Sequence, residues 1–129
     1  MVDDPAQIPT PTRALVESAP APDEPHRLSA GDQLPALRAR LVDAADDPLP
    51  LALARRIDFR MSPSTGTTDT LAEGHAEVLD ADSGRVQYEW DRGETVVDGA
   101  HRGVFRVEYA REGALTVPTN APLTVRIVG

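Results

Sequence analysis

The sequence predicts an all-β protein: one antiparallel sandwich of about seven short strands, preceded by an extended amino-terminal arm. Three observations lead there. After position 27, apolar residues recur at every second position, the spacing that turns one face of a strand inward. Clusters of Gly, Pro, Asp, Asn and Ser interrupt these runs at short intervals. No segment carries the sustained 3.6-residue period of an amphipathic helix.

The arm, residues 1–27, holds six of the twelve prolines and five acidic residues. Proline removes amide donors and disfavours helix at the residue before it, so this stretch reads as extended chain outside the core. Thr12 is placed to cap one or two helical turns over residues 13–17. Ile8, Pro9, Pro11, Leu15 and Val16 are the arm residues expected to contact a neighbouring subunit.

The domain, residues 28–129, alternates strand by strand. Leu37, Ala39 and Leu41 alternate with Arg38 and Arg40, and Asp46-Asp47-Pro48 turns the chain. Ile57, Phe59 and Met61 alternate with Asp58 and Arg60 and run into Ser62-Pro63-Ser64-Thr65-Gly66. A short candidate strand, Ala76-Glu77-Val78-Leu79, is joined by Asp82-Ser83-Gly84 to Val86, Tyr88 and Trp90. Phe105, Val107 and Tyr109 follow the Asp98-Gly99 reversal, Leu115 and Val117 follow Glu112-Gly113, and Leu123, Val125 and Ile127 close the chain. Pro118 and Pro122 fall at strand ends, where a missing donor is tolerated.

The predicted core is Leu37, Leu41, Ile57, Phe59, Val86, Tyr88, Trp90, Phe105, Val107, Tyr109, Val125 and Ile127. All five aromatic residues share this inward parity, which assigns them to the space between the sheets. The competing assignment is an exposed platform at Tyr88 and Trp90, beside Glu89 and Asp91, that stacks a host-surface glycan.

Composition narrows the function. A net charge of −8 argues against a nucleic-acid partner, which demands basic patches. All thirteen basic residues are arginine, as GC-rich coding or a high-salt cytoplasm would favour. Without cysteine there is neither a disulfide framework nor a thiolate site. No apolar run approaches the ~20 residues of a membrane-spanning helix. The start, MVDDPAQIPTPTR, lacks the basic and apolar parts of a signal peptide. The fragment Asp80-Ala81-Asp82-Ser83-Gly84 lacks the remaining ligands of a calcium loop and reads as a turn. His26, His75 and His101 follow no ligand spacing and have the polar neighbours of exposed loops. No catalytic constellation, metal site or cofactor site is expected.

Taken in order, the segments "GDQLPALRARLVDAADDPLPL", "IDFRMSPSTG", "AEVLDADSGRVQYEW" and "GVFRVEYAREGALTVPTNAPLTVRIV" resemble the amino-terminal immunoglobulin-like domain of the phage baseplate upper protein family. The resemblance departs at Asp98-Gly99-Ala100-His101-Arg102, where a longer, remodelled loop is expected. It implies a non-enzymatic structural or adaptor protein of a tailed virus, located in the virion, in tail or baseplate. The partners would be other virion structural proteins and further copies of the chain, with no nucleic acid and no membrane. A capsid decoration or vertex protein is the alternative location, and a carbohydrate-binding module the alternative class.

Overall fold

The computed structural model describes residues 12–19, 24–64, 70–110, 113–119 and 122–129. They form ten strands: β1 (Arg13–Val16), β2 (His26–Ser29), β3 (Leu37–Val42), β4 (Ala54–Pro63), β5 (Ala72–His75), β6 (Glu77–Asp80), β7 (Arg85–Tyr88), β8 (Gly99–Tyr109), β9 (Gly113–Val117) and β10 (Leu123–Val128). A 3-10 turn spans Leu51–Leu53. One sheet has the order β1-β3-β7-β6; the other runs β2-β10-β8-β4-β5, with β9 also paired to β8. The two pack as a sandwich around one apolar core.

β8 is the spine of the larger sheet. Nine of its eleven residues, 101–109, pair with β4 along one edge, while β10 and β9 occupy successive halves of the other. Its alternation is strict: His101, Gly103, Phe105, Val107 and Tyr109 are buried, and Arg102 and Arg106 are exposed. Leu37, Leu41, Ile57, Phe59, Val86, Tyr88, Trp90, Phe105, Val107, Tyr109, Val125 and Ile127 are all buried. Leu49 and Leu51 join them from the connection between β3 and β4. Phe59 ties the sheets together: its ring lies 4.7 Å from Tyr88, 5.1 Å from Phe105 and 5.8 Å, edge-on, from Trp90.

Two stretches of the expected arm, residues 1–27, are strands of the sandwich. Leu15 and Val16 belong to β1, which pairs antiparallel with β3 from Arg13↔Val42 to Val16↔Ala39. Thr12 caps no helix. It is buried and anchored to the far end of the chain, its amide donating to Thr119 Oγ1 at 3.0 Å and its hydroxyl lying 2.7 Å from the same atom. A five-residue helix cannot hold itself, whereas the open edge of β3 supplies a hydrogen-bond ladder and a hydrophobic seat for Val16. β2 likewise lies inside the fold, parallel to β10 with Val125↔His26 and Ile127↔Leu28. Ile8, Pro9 and Pro11 lie outside the described residues.

Two further departures concern β5 and β8. β5 carries no hydrophobic signal in the sequence, because its inward positions, Ala72 and Gly74, are too small to mark a strand. The loop expected over 98–102 is instead the first part of β8, paired with β10. Gly84 is the residue that lets β6 turn into β7. It adopts φ +74°, and a Cβ there would stand 2.6 Å from the Leu41 carbonyl oxygen.

Candidate functional site

Strand parity decides where the charges go. Inward positions are apolar, so the arginines of these strands project from the two outer faces, while many acidic residues gather in the connections. The outer face of the four-stranded sheet satisfies its arginines internally. Arg13 pairs with Asp46, and Arg85 Nε with Glu17 at 2.9 Å. Arg38 Nε donates to Gln87 Oε1 at 2.7 Å, and Arg40 Nε to the Ser83 carbonyl at 3.0 Å.

The outer face of the six-stranded sheet does not. It carries Arg27, Arg56, Arg60, Arg102, Arg106 and Arg126 against the carboxylates Asp58, Glu73 and Glu108, a net of three positive charges on a chain of net −8. Asp58 is already occupied. Its Oδ2 accepts from Arg56 Nε at 2.8 Å, and its Oδ1 lies 3.0 Å from His75 Nδ1, off the line of a good hydrogen bond. Arg60 Nε donates to Thr70 Oγ1 at 3.1 Å and Arg102 Nε to Ser62 Oγ at 3.3 Å. Both acceptors are neutral hydroxyls. Among the described residues no carboxylate pairs with Arg27, Arg60, Arg102, Arg106 or Arg126.

An open cleft of about 350 Å³ lies on this face, lined by Arg60, Ser62, Arg102, Val104 and Pro122. Register builds it. Arg60 stands opposite Val104 and Ser62 opposite Arg102, so the two guanidinium groups flank a small square of one aliphatic and one hydroxyl side chain. Nothing in the sequence flags these arginines, because alternation marks an outward residue only as polar. Strand pairing was the missing signal.

The other sequence candidates lie elsewhere. His26 and His101 are buried, not in exposed loops. His26 Nε2 donates to the Pro35 carbonyl at 3.0 Å and its Nδ1 accepts from the Ser18 hydroxyl at 2.7 Å. Burial holds its pKa below the usual histidine range. His101 Nε2 donates to the Val97 carbonyl at 2.7 Å. His75 alone is exposed, at the rim of the arginine face. Asp80 accepts from the Asp82 amide at 3.1 Å, the bond of a side-chain-capped turn.

The glycan platform is corrected by burial. Tyr88 and Trp90 are 3% and 4% exposed. The Trp90 indole donates to the Pro35 carbonyl at 3.2 Å, and the Tyr88 hydroxyl to both Glu94 oxygens at 2.8 Å. No ring face is left for a sugar to stack on.

No family model matches the chain, and no curated protein matches it. Among solved structures the chain is similar to the crystal structure of CopC from Methylosinus trichosporium OB3b, at 13% identity over 90% of this chain and 94% of that one, with a TM-score of 0.47. The expected tailed-virus role, in tail, baseplate or capsid, is withdrawn, because no comparison supports a virion role.

Proposed function

We propose that the chain is a non-enzymatic interaction module whose six-stranded sheet docks an acidic polypeptide. The observation that supports this is the contrast between the two faces. Every arginine of the four-stranded face named above has an acceptor within the fold, a carboxylate for Arg13 and Arg85, whereas among the described residues Arg27, Arg106 and Arg126 on the six-stranded face have none and Arg60 and Arg102 have only hydroxyls. Guanidinium groups are weakly hydrated, planar and suited to carboxylates, so a face of this kind is complementary to glutamate- and aspartate-rich surfaces.

Binding to poly-L-glutamate, followed by fluorescence anisotropy over a salt series, tests the proposal. The expected result is saturable binding that weakens with salt, is reduced by Arg106→Gln with Arg126→Gln, and is unaffected by Arg38→Gln on the opposite face. Tighter binding to a DNA duplex than to poly-L-glutamate, or equal loss from variants on either face, would overturn it.

A further inference from the structure

We infer that the cleft between Arg60 and Arg102 is a carboxylate subsite, seating a glutamate-type side chain of the docked polypeptide; this rests on the proposed function above. The two arginines lie on a diagonal across the β4–β8 pair, Arg60 facing Val104 and Arg102 facing Ser62. Diagonal neighbours of this kind are separated by roughly 7–8 Å at the backbone, a distance that two arginine side chains converging on one carboxylate can span. Each guanidinium is held on one side only. Thr70 fixes the Nε of Arg60 and Ser62 fixes the Nε of Arg102, leaving the terminal nitrogens of both without a carboxylate partner among the described residues.

The surroundings select the ligand. Glu73 stands opposite Arg60 on β5 but, among the described residues, makes no ion pair with it. Its charge beside the cleft, with Asp58 one step further along β4, opposes a doubly charged anion more than a singly charged one. Val104 and Pro122 give the cleft an aliphatic wall, which water-like inorganic ions do not use and the methylenes of a glutamate side chain do. Arginine's planar fork accepts a carboxylate in two parallel bonds, and two such forks on one cleft restrict its orientation. The shared chemistry is therefore a monocarboxylate on a short aliphatic stem.

The test uses the full chain and propionate as probe, with inorganic phosphate as comparator, both at constant ionic strength. Arginine Nε–Hε resonances and the Val104 methyls are followed by NMR. Saturable shifts at Arg60, Arg102 and Val104 with propionate, the Val104 shift being lost in Arg60→Gln with Arg102→Gln, support the subsite. Uniform shifts at all arginines, or saturation of the same resonances by phosphate at lower concentration, overturn it. Poly-L-glutamate separates the two levels. R60Q/R102Q is expected to bind it about tenfold more weakly, the scale of two exposed ion pairs lost together. Wild-type affinity in R60Q/R102Q overturns the subsite and leaves the docking face standing; no poly-L-glutamate binding by the wild type overturns both.

Discussion

Phe59 and Gly103 occupy one volume of the core, and a double-mutant cycle through them tests how the sheets are packed. Phe59 is fully buried among Tyr88, Trp90 and Phe105. Gly103, on the neighbouring strand β8, has no side chain because the ring stands in its place: an added Cβ would meet Phe59 Cε1 at 2.7 Å and Cζ at 2.8 Å. Gly103→Ala therefore overpacks the core and is expected to cost about 1–3 kcal/mol. Phe59→Ala removes the ring and leaves a cavity, at about 3–5 kcal/mol. A domain of this size has only about 5–15 kcal/mol in hand, so the second change brings the fold near its limit. In the double variant the new methyl enters the space the ring has vacated. The two effects then fall short of their sum by about 0.5–3 kcal/mol, the range for residues in contact. Urea unfolding followed by Trp90 fluorescence reads all four corners of the cycle, and native emission should be blue-shifted, as Trp90 is buried. Additivity within about 0.5 kcal/mol would refute the shared volume. Red-shifted native emission would refute the buried aromatic cluster itself.

Gly84→Ala should destabilise by at least about 2 kcal/mol in the same urea assay, because alanine resists the left-handed conformation and its methyl would press on the Leu41 carbonyl. Tyr88→Phe removes the hydroxyl held by Glu94 and should cost about 1.5 kcal/mol, since Glu94 keeps the Asp91 and Glu73 amides as donors. Burial and the Glu94 carboxylate raise the Tyr88 pKa above its ordinary 10.0, so the folded state holds the phenolic proton more tightly than the unfolded chain. That stability is present below pH 10.0 and is lost as pH rises beyond it; Tyr88→Phe should flatten the alkaline limb of a denaturation series. His26 has the opposite sign. Its pKa is depressed below the ordinary 6.5, so the unfolded chain takes up the proton first and stability falls as pH drops below 6.5. Replacing His26 with Gln should remove that slope while keeping both a donor and an acceptor at the site.

The sandwich was legible because its main strands alternate large apolar residues with charged ones. Phe105-Arg106-Val107-Glu108-Tyr109 can bury one parity in only one way, and β8 does so. Strands whose inward residues are small or polar carry no such signal. β5 faces inward with Ala72 and Gly74, and β2 with His26, whose two ring nitrogens find partners only once Ser18 and Pro35 are brought beside it. Prolines at 20, 22 and 25 made the first part of the chain look extended throughout, yet β1 lies before them and β2 directly after. The candidate site was not legible. Arg60 and Arg102 are far apart in sequence, and only the β4–β8 register sets them across one cleft. Whether an arginine is satisfied or unmatched depends on partners that sequence spacing does not show. Arg85 finds Glu17 from the loop after β1, and among the described residues no carboxylate pairs with Arg106.

Mapping arginine Nε–Hε resonances during a poly-L-glutamate titration is the most direct test of which face binds. The proposal predicts saturable shifts at Arg60, Arg102, Arg106 and Arg126, with Arg13, Arg38, Arg40 and Arg85 unmoved. Shifts on the four-stranded face, or none on the six-stranded one, would contradict it.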